Sequence, residues 1–202
     1  MKNEKHSFSP EESLSLISEM INNVKSDFQH NAFYFLLWGW TIALACIVHF
    51  AIIMILIRLE LFDKISLFSF LNWGVFVGAG AIIQYSYMAK NHAKAKSLYN
   101  RFFRIMWQMA GLTMIVAALI CLKFNMYPTP IILTITAMAT LTAGIIIRFT
   151  PLILGGILFF IAALISTYLF YDYSLLICAF AIILGYIIPG YMLRNLETKQ
   201  NV

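Results

Sequence analysis

Six stretches of this chain are each long and apolar enough to cross a lipid bilayer, and none holds an acidic residue in its interior. A spanning helix needs about 20 mostly apolar residues, since each adds roughly 1.5 Å across a hydrocarbon core of about 30 Å. The runs fall at Phe33–Ile57, Leu67–Met88, Ile105–Leu122, Thr129–Ile147, Pro151–Phe170 and Ser174–Leu193. They are continuous rather than alternating, which excludes the strands of about 10 residues that build membrane barrels. The predicted class is therefore all-α: a polytopic membrane protein with a six-transmembrane-helix bundle and an N-terminal cytoplasmic amphipathic helix. With 61% hydrophobic and 11% charged residues, 202 residues leave no room for a second soluble domain. The expected organisation is a cytoplasmic segment over 1–32, the bundle over 33–193 and a short cytoplasmic tail over 194–202.

Orientation follows from Lys and Arg, which accumulate on cytoplasmic loops. With the N-terminus inside, the inner face holds Lys2, Lys5, Lys25, Lys90, Lys94, Lys96, Arg101, Arg104, Arg148, Arg194 and Lys199, while the outer loops hold only Arg58, Lys64 and Lys123. Both termini are expected in the cytoplasm. The net charge of +5 is then an orientation signal, and no nucleic-acid partner is expected. The first 32 residues lack the basic-then-apolar layout of a cleavable signal, so the first span should direct insertion, and neither end carries a lipidation signal.

Outside the membrane the N-terminal segment is the most patterned. Ser9-Pro10-Glu11-Glu12 starts a helix: Ser9 caps, Pro10 suits the first turn and Glu12 closes a capping box. Leu14, Ile17, Ile21, Val24 and Phe28 then recur at spacings of 3 and 4, one apolar face of a helix. Its charges are Glu11, Glu12, Glu19 and Asp27 against Lys25. A helix lying on anionic lipid is usually basic, so this one should pack on protein. Lys90, Lys94, Lys96, Arg101 and Arg104, with no acid among them, form a basic cytoplasmic loop able to receive it. The same loop could instead touch anionic headgroups. Docking within the chain, on a second copy or on a cytoplasmic or membrane partner all stay open.

Pro10-Glu11-Glu12-Ser13-Leu14, Leu16-Ile17, Met20-Ile21 and Leu36-Leu37-Trp38-Gly39-Trp40 together resemble small, uncharacterised bacterial membrane proteins, some encoded beside a winged-helix transcriptional regulator. The resemblance spans roughly the first 50 residues. It implies a bacterial inner-membrane location and a regulatory context, and carries over no activity, cofactor or catalytic residue.

Within the spans, Phe33, Tyr34, Phe35, Trp38 and Trp40 read as interfacial anchors. Asn31–Trp38 aligns with Asn100–Trp107, which allows a grouping into three helical hairpins. Gly74 and Gly78 form a G-x-x-x-G pair; Thr136, Thr140 and Gly144 line one side of the fourth span, and Gly155-Gly156 open a gap in the fifth. Such small residues let helices approach closely, within the bundle or, as the alternative, at a face between two copies of the chain. Pro189-Gly190 should kink or end the sixth span.

Chemistry has few places to reside. Intramembrane ionisable groups usually mark transport pathways, and here His49 stands alone. Cys46, His49, Cys121 and Cys178 fall at similar depth by residue count and are the candidate metal ligands; a Cys121–Cys178 disulfide is the alternative use of two of them. The nucleophile-elbow, zinc-protease and phosphate-loop motifs do not occur, so neither catalysis nor a cofactor is expected. The leading expectation is a non-enzymatic membrane protein acting through protein contacts of its N-terminal helix, as an accessory or regulatory subunit. The alternative is a carrier or binder of a lipid or small apolar molecule within the bundle.

Overall fold

The computed structural model describes residues 32–90, 98–124, 126–169 and 173–200. The amphipathic segment with Leu14, Ile17, Ile21, Val24 and Phe28, and Lys94 and Lys96 of the basic loop, lie outside them. The described residues are helical with no strands, and six helices are long and apolar enough to cross a membrane, as the sequence predicts. In order they are α1 (Ala32–Arg58), α2 (Ile65–Lys90), α3 (Leu98–Lys123), α4 (Thr129–Ile146), α5 (Thr150–Tyr168) and a sixth span made of α6 (Ser174–Ile182), a π-helical turn (Ile183–Ile187) and α7 (Ile188–Gln200).

Local chemistry explains the boundaries. Pro130 and Pro151 stand in the first turns of α4 and α5, where a missing N–H costs nothing. Two tight stops use the same device. Arg148 and Glu60 adopt positive φ, at 53° and 56°. After α4, Phe149 N donates to Gly144 O at 3.0 Å and Arg148 N to Ile145 O at 3.1 Å; after α1, Leu61 N donates to Leu56 O and Glu60 N to Ile57 O. Both satisfy the last orphan carbonyls in the Schellman pattern, without its usual glycine. The first lets α5 fold straight back along α4, and the Arg148 cation complements the negative end of α4.

The helices share burial unequally. Across its most apolar stretch the sixth span is 56% buried, against 11% for α2 and for α3. The core lies between α1, α4, α5 and the sixth span, with Phe159, Leu133, Leu152, Cys46 and Thr140 among its most buried side chains. α2 rests on α1 and α3 on α4. The most intimate pair is α4 with α5, which joins two of the expected hairpins instead of lying within one.

Glycine placement accounts for this pair. A Cβ on Gly144 would stand 2.7 Å from Ile153 N, and one on Gly156 2.8 Å from Leu141 backbone atoms. Gly144 thus lies at the α4–α5 contact, and Thr140, one turn earlier, is fully buried. A Cβ on Gly74 or Gly78, by contrast, meets no described atom within 4 Å.

Pro189-Gly190 neither ends nor simply kinks the sixth span. The helix continues to Gln200, and the irregularity falls one turn earlier. Pro189 has no N–H to give the Gly185 carbonyl. The preceding turn widens so that Ile188 N donates to Ile183 O, the i→i+5 bond of a π-turn.

Candidate functional site

Polar side chains inside the bundle gather at the α1–α2 seam. Ser69, Asn72 and Trp73 stand at i, i+3 and i+4 on one face of α2 and meet Ala45 and His49, i and i+4 on α1. Trp73 Nε1 donates to His49 Nδ1 at 3.1 Å, and His49 Nε2 lies 2.7 Å from Ser69 Oγ. An indole N–H can only donate, so Nδ1 accepts and the neutral ring carries its proton on Nε2, which donates to Ser69. Asn72 Nδ2 donates to Ala45 O at 3.2 Å, while its Oδ1 has no donor among the described residues although Asn72 is only 6% exposed. Toward the other end of the seam, Trp38 Nε1 donates to Gln84 Oε1 at 2.6 Å, and Phe33 stacks on Tyr87 with ring centroids 4.0 Å apart.

Bonds of this kind between membrane helices contribute about 0.6 kcal/mol on average and up to about 1.7. Trp73→Phe and Ser69→Ala should therefore each cost about that much, and each should be coupled to His49→Leu in a double-mutant cycle of detergent unfolding. Additive losses would show that the imidazole does not hold the seam. Asn72→Leu should be neutral or stabilising, since it removes an amide oxygen buried without a partner.

A second constellation fills the core. Tyr186, on the π-turn, is buried among Phe159, Phe35 and Trp107, with ring centroids 5.2, 5.5 and 6.0 Å away. Its hydroxyl accepts from Thr140 Oγ1 at 3.0 Å. The aromatic run at the start of α1 is thus divided. Phe35 is a core residue and Trp38 a hydrogen-bond donor, where interfacial anchoring was expected of both; Trp40 remains exposed.

Cys46 and Cys178 come together, the thiols within hydrogen-bonding reach of each other, whereas Cys178 makes no bridge to Cys121. All three cysteines are buried free thiols. Among the described residues no three His, Cys, Asp or Glu side chains converge, so Cys46, His49, Cys121 and Cys178 do not assemble as a ligand set. His49 turns instead toward α2. Of the basic loop residues, Lys90, Arg101 and Arg104 are described and exposed.

The third feature is a lateral groove of about 430 Å³ between α1, α2 and α7. Leu37, Trp40 and Leu44 form its α1 side, Phe76 and Ile83 its α2 side, and Tyr191 and Arg194 its α7 side. Neither the groove nor the Ser69–Asn72–Trp73 set was anticipated from the sequence. The i, i+3, i+4 spacing of the latter was the available signal. Comparison with known protein families, with curated proteins and with solved structures gives no match.

Proposed function

We propose that this multi-pass membrane protein is non-enzymatic and acts through protein contacts, as an accessory or regulatory subunit of the bacterial inner membrane with both chain ends in the cytoplasm. The contact element is the amphipathic segment over about residues 10–30, through Leu14, Ile17, Ile21, Val24 and Phe28. The observation that carries this reading is the opposition of charge: Glu11, Glu12, Glu19 and Asp27 on that segment against Lys90, Lys94, Lys96, Arg101 and Arg104 on the loop between α2 and α3. Complementary charge steers association and selects partners.

The bundle supports the reading in two ways. Of its buried polar side chains, His49, Asn72 and Thr140 are engaged in helix-to-helix bonds, and Thr136 and Ser166 bond carbonyls of their own helices. The two helices that flank the basic loop each lean on one main neighbour, leaving wide apolar sides such as Val75 and Ile82 on α2 and Ile115 and Leu119 on α3. A membrane partner or a second copy of the chain would meet those sides in the plane of the bilayer, with lipid covering the remainder.

The test is co-purification from native membranes in mild detergent. Ile17→Asp with Ile21→Asp should abolish recovery of a partner that the unaltered protein retains, because each change places a charge on the apolar face. The substitutions lie outside the bundle, so its helicity and melting should not move. Recovery unchanged by the double substitution would overturn the assignment of that face.

A further inference from the structure

We propose that the His49 contact between α1 and α2 is an acid-operated latch: a proton added to Nδ1 of the imidazole ejects the Trp73 indole and frees the Ser69 end of α2.

The conflict lies in the number of donors. Trp73 Nε1 donates to His49 Nδ1 at 3.1 Å, and His49 Nε2 pairs with Ser69 Oγ at 2.7 Å. An indole N–H has no acceptor to offer, and an imidazolium carries N–H on both nitrogens. The neutral ring therefore satisfies both partners, and the charged ring only one. Ser69 can go on accepting from Nε2, whereas at Nδ1 two N–H groups would face each other.

No neighbour offsets an added charge. The α2 face carries Ser69, Asn72 and Trp73, none of them acidic. On α1 the titratable neighbour is Cys46, one turn away and paired with Cys178 of α6, while Tyr173, just before α6, meets Phe50. Arg58, Glu60, Asp63 and Lys64 are exposed around the turn between the two helices. Burial, and not a charged side chain, dominates the surroundings of the imidazole.

Two features give the loss of one bond its consequence. α2 takes its main packing from α1, and only 11% of its most apolar stretch is buried. Ser69 is half-buried and four residues into α2, about 6 Å from the helix start at roughly 1.5 Å per residue, so protons from that membrane face have a short path to the ring. Because only the neutral ring is bound in full, the latch holds at neutral pH and opens as pH falls through the imidazole range.

The full chain, labelled at its tryptophan indole nitrogens for NMR and held in mild detergent, would be taken from about pH 8 to about pH 5, either side of the ordinary imidazole value of about 6.5. The Trp73 indole resonance, identified by its loss in Trp73→Phe, should move through the transition. That of Trp38 should stay, since its acceptor, Gln84 Oε1, does not titrate. Backbone amides of α2 near Trp73 should exchange about fivefold faster below the transition, after correction for intrinsic rates, as expected for losing one bond between membrane helices. His49→Gln, which keeps an acceptor and cannot be charged, should show neither change. A Trp73 resonance indifferent to pH, an equal shift at Trp38, unchanged exchange, or a titration that survives His49→Gln would each overturn the proposal.

Discussion

Gly155→Val and Gly156→Val should strongly destabilise the bundle, whereas Gly74→Val and Gly78→Val should leave its stability nearly unchanged. A Cβ on Gly155 would lie 2.5 Å from Gly185 O, and one on Gly156 2.8 Å from Leu141 N and Cα. These are backbone atoms in the middle of helices and cannot swing away as a side-chain end can. Overpacking a filled interior costs about 1–3 kcal/mol and sometimes more, and the rigidity of the atoms met puts these two at the upper end. The loss is of dispersion contacts, which hold membrane helices together where lipid supplies no hydrophobic drive. Unfolding in mixed micelles followed by helicity measures it. Gly155→Val as stable as Gly74→Val would mean that α5 and the sixth span do not approach as described.

Tyr186→Ala should cost about 3–5 kcal/mol, the range for deleting a buried aromatic side chain, while Tyr186→Phe should cost about 0.6 kcal/mol, the average for a bond between membrane helices. The ring is the larger contributor because it touches α1, α3 and α5 at once, through Phe35, Trp107 and Phe159. The hydroxyl matters less. Without it, Thr140 can turn its own hydroxyl back to the carbonyl four residues earlier, as Thr136 does to Ile132 O at 2.8 Å. The same unfolding measurement, run on both variants, separates ring from hydroxyl. Equal losses would show that the Thr140 bond, and not the packing, holds the hub.

Much of this was legible along the chain. Span number and position followed from runs of apolar residues, and the starts of α4 and α5 from Pro130 and Pro151. Gly144, Thr140 and Gly155-Gly156 were recognisable as packing residues. His49 stood out as the lone ionisable group inside a span, and it bonds Ser69 and Trp73. Other features were legible only in part. Pro189 announced an irregularity, but its form and place follow from how the freed Gly185 carbonyl is accommodated against Gly155. Phe35 looked like its neighbours Phe33 and Tyr34 and is nevertheless core, because its side of α1 faces α3 and the π-turn.

The sequence by itself determined that this is an all-helical protein of six spans, because hydropathy and length are local properties that add up residue by residue along the chain. Only the tertiary structure decided which small residues are contacts and which are open. Gly74-x-x-x-Gly78 and Gly155-Gly156 carry the same local signal, and they part company because a glycine matters only where another backbone comes to meet it. The groove beside Trp40 and the seam at His49 are of the same kind. Each is made by residues from separate helices, brought to one level by packing that no single helix encodes.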